Sequence, residues 1–94
     1  MNKRCAIYNR YSIDNETMIN MRRDELADYC ENVLKIYDYE IFEDIGSVLK
    51  ERLAFQKMLE KMKRGEFTDL LVYHPNRIYR AEYNKNKFNS IIKE

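Results

Sequence analysis

The chain has 94 residues, of which 45% are hydrophobic, and a formal net charge of +1. This length suits one small domain with a single core, so we expect one domain over residues 1–94. The sequence has no apolar run long enough for a membrane span or a secretory signal, which predicts a cytoplasmic protein with no membrane partner. Cys5 and Cys30 lie on apolar sides of predicted elements, which favours free, buried thiols over a disulfide or a metal site.

The charge is unevenly distributed along the chain. Residues 1–23 contain five Lys or Arg against two Asp or Glu, and residues 74–94 have the same balance, so each segment carries +3. Residues 24–73 contain seven against twelve and carry −5. If the two basic segments meet in the fold, they form a positive site for a phosphate backbone; the alternative is a solvated surface of mixed charge.

The first predicted element is a short buried strand from Arg4 to Tyr11. In an extended chain, residues i and i+2 point to the same side, so Arg10 and Ser12 are expected to project together where this strand ends. A hydroxyl beside a fixed cation suits an anionic substrate. Taken alone, Ser12 is more simply explained as a turn or helix N-cap residue, and Arg10 as the partner of a carboxylate.

Helices and strands then alternate along the chain. Apolar spacing predicts helices over Glu16–Leu34 and Lys50–Arg64, and a third helix over Arg80–Glu94. Strands are predicted over Lys35–Asp44, which is rich in Tyr and Ile, and over Asp69–His74, which is apolar enough to be buried on both faces. This order predicts an α/β fold: a small three-layer domain with a mostly parallel sheet.

Ligands of such sheets bind beyond the carboxyl ends of the strands. Ser12 follows the first predicted strand, and Asn76 and Arg77 follow the third, so these residues are expected at one edge of the sheet. Arg77 and Arg80, spaced i and i+3, would share a helix face if the chain turns helical after Pro75. Several guanidinium groups beside one serine indicate chemistry on a phosphodiester, because planar forks hold phosphate oxygens in two-point contacts.

Six segments stand in an informative order: Tyr8-Asn9-Arg10-Tyr11-Ser12, Arg22-Arg23-Asp24-Glu25-Leu26, Asp44-Ile45-Gly46, Arg52-Leu53-Ala54-Phe55, Gly65 to Tyr73, and Asn76-Arg77-Ile78-Tyr79-Arg80. In this conjunction, over almost the whole chain, the sequence resembles the serine recombinases, the family of resolvases, invertases and integrases. The resemblance implies a resolvase-like catalytic domain that lacks the family's C-terminal strand and long helix and is therefore incomplete at its C-terminal end.

The resemblance also implies the chemistry. It makes Ser12 the nucleophile that forms a 5′-phosphoserine linkage to DNA during strand exchange, with no metal and no cofactor. Arg10, Arg52, Arg77 and Arg80 match the family arginines around the scissile phosphate, which is reasonable because a serine hydroxyl needs a strongly positive surrounding to react. The expected partners are the DNA phosphate backbone and, for a full-length parent of bacterial or mobile-element origin, further copies in a homo-dimer or tetramer.

Departures from the family pattern, together with the missing C-terminal part, leave an alternative open. Asn76 stands where the family usually has an acidic residue before the first arginine, and Arg22 aligns with a glutamine usual on the first helix. The alternative function is a catalytically impaired recombinase remnant that acts only as an interaction module. The isolated chain is expected to be inactive in either case.

Overall fold

The structure, a computed structural model, describes residues 3–11, 15–46, 52–73 and 78–82. Its elements are β1 (Cys5–Tyr11), α1 (Glu16–Asp28) with a π-helical turn (Tyr29–Val33), β2 (Tyr39–Ile45), α2 (Leu53–Lys63), β3 (Asp69–Tyr73) and β4 (Ile78–Glu82). The strands form one sheet in the order β2-β1-β3-β4. β1 is parallel to both β2 and β3, and β4 is antiparallel to β3.

The two helices cover opposite faces of the sheet because alternate strand residues point to opposite sides. Odd-numbered residues of β1 face α1, in a cluster formed by Cys5, Ile7, Leu26, Cys30, Ile36 and Leu71. Even-numbered residues face α2, in a cluster formed by Ala6, Tyr8, Phe42, Met58, Met62, Phe67 and Leu70. We call these two sides the α1 face and the α2 face. The predicted three-layer α/β domain with a mostly parallel sheet is confirmed.

The cysteine prediction is confirmed as well. Cys5 and Cys30 are free and buried in the cluster on the α1 face. Burial raises the pKa of both thiols above their ordinary value. Because the thiolate is the reactive form, these residues act as small apolar core side chains.

The second strand begins later than the sequence pattern predicted. Lys35 has a φ of 60°, in the left-handed region, which ends the helical segment. The Ile36 N–H then donates to the Cys30 carbonyl at 3.0 Å, so the chain folds back over the helix end before it becomes extended at Tyr39. This helix end, rather than the Tyr- and Ile-rich composition, decides where β2 starts.

The predicted third helix is wrong over Arg80–Glu82. These residues belong to β4, in which Ile78 pairs with Tyr73 and Arg80 pairs with Leu71. The physical reason is tertiary: β3 offers an unpaired edge, and a segment that begins with Ile78 and Tyr79, residue types favoured in strands, satisfies its backbone groups by pairing there. Residues 83–94, the rest of the predicted helix, lie outside the described residues.

The sheet has two chemically different ends. Its carboxyl edge is formed by the last residues of β1, β2 and β3, which are Tyr11, Ile45 and Tyr73, and its amino edge by their first residues. Because β1 is flanked by β2 on one side and β3 on the other, the strand order reverses beside it, which is where parallel sheets bind ligands.

Neither described helix has the length and hydropathy of a membrane-spanning helix.

Candidate functional site

Two of the six candidate residues lie on the α2 side of the carboxyl edge. Arg10 is the penultimate residue of β1 and belongs to the α2 face, and Arg52 immediately precedes α2. Tyr8, two residues before Arg10 on the same face, accepts a hydrogen bond from Arg52 Nε at 3.4 Å. Arg10 and Tyr8, the hydrogen-bond partner of Arg52, therefore project from the same face of β1. Ser12, Asn76 and Arg77 lie outside the described residues.

Asp44 fixes the start of α2 against this edge. It pairs with Arg10 in the β1–β2 register and points to the same α2 face. Its Oδ1 accepts the Ala54 N–H at 2.9 Å and its Oδ2 accepts the Phe55 N–H at 3.0 Å. A carboxylate at a helix N-terminus satisfies unpaired N–H groups and interacts favourably with the helix dipole. Asp44 thus serves as the cap that Arg52, with no capping side chain, does not provide.

The hydroxyl of Tyr8 links Asp44 to Arg52. It donates to Asp44 Oδ2 at 2.7 Å and accepts the longer bond from Arg52. Burial raises the pKa of Tyr8 to about 12, with Arg52 acting in the opposite direction, so the phenol stays protonated and able to donate at neutral pH. The position of Arg52 therefore depends on a buried tyrosine and an aspartate from two different strands.

Aromatic rings hold the Arg52 side chain. Its guanidinium carbon lies 4.1 Å from the centroid of the Phe55 ring and 5.6 Å from that of Tyr8, and these two rings pack edge to face at 5.0 Å. Within the described ranges, no carboxylate lies at ion-pair distance from Arg52 or from Arg10. A guanidinium held in this way keeps hydrogen-bond donors available for an anion.

On the α1 face of the carboxyl edge, charged and polar side chains form an ion pair and hydrogen bonds with one another. Glu43 of β2 accepts from Arg23 at 2.6 Å and from the Tyr11 hydroxyl at 3.1 Å. The hydrogen bond to Glu43 raises the pKa of Arg23, while burial and Glu43 raise the pKa of Tyr11 above its ordinary value. Asn9, fully buried, donates its amide to the Tyr11 hydroxyl. Arg23 is thereby neutralised and Tyr11 is fixed beneath α1.

Arg80 lies elsewhere. Its guanidinium bonds Asp69 Oδ1 at 2.8 Å, and Asp69 is the first residue of β3, at the amino edge. The expectation that Arg80 shares a helix face with Arg77 is therefore wrong, and the structure does not bring Arg80 to Arg10. The catalytic assignment of Arg80 remains a prediction that rests on the resemblance.

The structure bears on one part of the competing explanation for Ser12, which was a turn or helix N-cap residue. The N-cap of α1 is Asn15, whose side-chain oxygen accepts the Met18 N–H at 3.1 Å. Because a helix has one N-cap position, Ser12 is not needed for that purpose.

Sequence reasoning missed Tyr8 and Asp44 as members of the site. Both residues stand in segments that carry the family resemblance, but neither was given a role in the site. A signal was present: α2 begins after an arginine that cannot cap it, so an acceptor from another element was needed.

Across the described part of the chain, no group of three or more His, Cys, Asp or Glu could hold a metal ion.

Comparison with known proteins places the chain in a family. Among curated proteins and among solved structures, nothing matches the chain significantly. A family model described as "Resolvase, N terminal domain" matches residues 5–88. This match covers every described strand and helix, and it includes all six candidate residues. The chain therefore belongs to the resolvase N-terminal domain family, the catalytic-domain family of the serine recombinases.

Proposed function

We propose that this chain is the catalytic domain of a site-specific serine recombinase and that it cleaves DNA through Ser12. The observation that supports this most directly is the pair of guanidinium groups, Arg10 and Arg52, that flank the end of β1 without a carboxylate partner in the described ranges. Ser12 follows the last residue of β1 by one position. In this proposal, Ser12 meets the positive charge of Arg10 and Arg52, for which the described ranges contain no ion-pair partner.

In the proposed reaction the Ser12 oxygen attacks a backbone phosphorus. The new bond joins this oxygen to phosphorus, the bond from phosphorus to the 3′ oxygen breaks, and the 3′ oxygen takes up a proton. The serine proton is released in the same step, so the product is a 5′-phosphoserine and a free 3′ hydroxyl. The phosphodiester energy is retained, which lets a 3′ hydroxyl of another strand reverse the step and complete strand exchange.

Arginines at this edge act on the phosphate oxygens. Arg10 and Arg52 donate to the non-bridging oxygens and stabilise the charge that develops in the transition state, because guanidinium remains charged at any physiological pH. Arg77 and Arg80 join them on the strength of the family resemblance. Contacts to phosphate carry no sequence information, so we propose that this domain binds DNA with little sequence preference. Exchange of two duplexes requires further copies of the chain, and the proposed location is the cytoplasm.

A trapping experiment tests the proposal. The full chain is incubated at low salt with random duplexes in which a sulfur replaces the bridging 3′ oxygen. The released thiolate cannot readily reverse the reaction, so even trace cleavage by a chain that is inactive in strand exchange accumulates as product. We expect a covalent protein–DNA adduct that maps to Ser12 by mass spectrometry. Ser12→Ala should abolish the adduct and leave DNA binding nearly unchanged. Arg10→Ala should slow adduct formation by roughly 10²-fold to 10³-fold, as for one lost transition-state donor.

Two outcomes would contradict the proposal. DNA binding without any adduct at Ser12 would favour the impaired remnant, an alternative motivated by Asn76 in place of the family's acidic residue. In that case Asn76→Asp, which restores the carboxylate, should raise adduct formation. An adduct that persists in Ser12→Ala and maps to a tyrosine would overturn the assignment of the nucleophile.

A further inference from the structure

Arg22 lies at the junction between β1 and β3. Its guanidinium carbon is 4.4 Å from the centroid of the Tyr73 ring and 6.0 Å from that of Tyr11. Tyr11 and Tyr73 are the last residues of these two neighbouring strands. The positive charge of Arg22 is thus placed on the α1 face of the carboxyl edge, beside the point where the strand order reverses.

Arg22 and its neighbour Arg23 have opposite surroundings. Arg23 is bound to Glu43 through two donors, at 2.6 and 3.2 Å. For Arg22, the described residues include no carboxylate at ion-pair distance, although Asp24 and Glu25 follow it on α1. A cation stacked on a tyrosine ring gains from the face of the ring while its N–H groups stay free to donate. Two consecutive arginines therefore differ in whether their charge is already satisfied.

The surface next to Arg22 is open enough to admit a phosphate. A depression of about 770 Å³ adjoins Arg22 and Tyr73 and is lined toward the start of α1 by Asn15, Thr17 and Met18. These three side chains are uncharged and lie near the carboxyl edge, where α1 begins. The acidic side chains lining the depression come later in α1, toward the amino edge. A phosphate bound by Arg22 therefore lies on the side of Asn15, Thr17 and Met18, away from the carboxylates of Asp24, Glu25 and Asp28 that also line the depression.

We propose that Arg22 binds a phosphate of the DNA backbone adjacent to the one held by Arg10 and Arg52. This inference rests on the proposed function. Arg10 and Arg52 approach the carboxyl edge from the α2 face, and Arg22 approaches it from the α1 face. A DNA strand that crosses the edge is then contacted from both faces of the sheet.

The test is the salt dependence of DNA binding by the full chain, measured with a fluorescent random duplex over a series of salt concentrations. Each phosphate contact contributes about 0.9 to the slope of log affinity against log salt. We expect Arg22→Gln to lower this slope by about 0.9, and the matched control Arg23→Gln to leave it unchanged because Arg23 is already paired. Arg22→Lys should keep the wild-type slope. Arg22→Met is a second neutral variant that retains apolar contact with Tyr73, for use if Arg22→Gln lowers the melting temperature.

The outcomes separate this inference from the proposed function. If the wild-type chain does not bind DNA at any salt concentration, both are overturned. If the wild-type chain binds, but Arg22→Gln and Arg22→Met have the same slope as Arg23→Gln, the role of Arg22 is overturned and the proposed function is untouched. A smaller slope in Arg22→Gln and Arg22→Met, with the wild-type slope kept in Arg23→Gln, supports both the role of Arg22 and the proposed function.

Discussion

The two edges of the sheet use arginine in opposite ways. At the amino edge, Arg4 bonds Asp38 at 3.3 Å and Glu40 at 3.4 Å, and Arg80 bonds Asp69 at 2.8 Å. Asp69 is only 1% exposed, so its charge depends on Arg80 and on nearby hydrogen bonds. These arginines satisfy carboxylates of the protein itself and contribute to the stability of the fold.

At the carboxyl edge, Arg10, Arg22 and Arg52 have no carboxylate partner among the described residues. Arg22 and Arg52 lie instead against aromatic rings. Of the arginines described in this region, only Arg23 is ion-paired, with Glu43. An arginine that is ion-paired within the protein holds the fold, whereas an arginine without such a partner is available to a ligand. The presence of an arginine alone does not distinguish the two cases.

The largest predicted effect on stability compares one arginine from each edge. Arg80→Ala leaves the Asp69 carboxylate buried with its ion pair broken, so we expect a loss of about 3 kcal/mol in the free energy of unfolding. Arg10→Ala breaks no described ion pair and should change this free energy by less than about 1 kcal/mol. Urea denaturation measures both.

A further variant controls the comparison. Asp69→Asn in the Arg80→Ala background removes the unpaired charge and should recover part of the lost stability. If Arg10→Ala were as destabilising as Arg80→Ala, the contrast between the two edges would not hold.

A smaller effect is expected from the aspartate that organises the carboxyl edge. Asp44→Ala removes the cap of α2 and the acceptor of Tyr8, so we expect a loss of about 2 kcal/mol in urea denaturation. Because Asp44 also holds the start of α2, where Arg52 lies, the adduct yield in the trapping experiment should fall as well. Glu66→Gln, which removes only weak, largely exposed ion pairs with Arg4 and Arg64, is the control and should change neither quantity measurably. An unchanged adduct yield in Asp44→Ala would mean that Arg52 is positioned by other contacts.

The smallest effect is a pH dependence at the carboxyl edge. The pKa of Tyr8 is about 12 in the folded chain, above its ordinary value of 10.0, so the folded chain binds more protons than the unfolded chain between these values. Stability from this source is complete below pH 10 and is lost as the pH rises toward 12. Between pH 10 and 12, the free energy of unfolding of Tyr8→Phe should therefore fall by about 1 to 2 kcal/mol less than that of the wild type. Tyr37→Phe, at a position that is 70% exposed, should follow the wild type; a Tyr8→Phe curve parallel to both would contradict the assignment.

Much of the fold could be predicted from local sequence patterns. Period-two and helical spacing identified β1, α1, α2 and β3. Each of these elements buries one face, so apolar residues recur in its own sequence with the period of a strand or a helix. The alternation of strands and helices was enough to predict a parallel sheet with helices on both faces. The placement of Arg10 at the end of β1 followed from the same pattern.

The tertiary structure decided what local patterns do not encode. Residues Ile78–Glu82 became β4 because the edge of β3 was available for pairing, and that pairing carried Arg80 away from the predicted site to Asp69. The link from Asp44 through Tyr8 to Arg52 joins positions up to 44 residues apart. Such contacts depend on strand register and helix docking. These bring together residues that lie far apart in the sequence and that no local pattern relates.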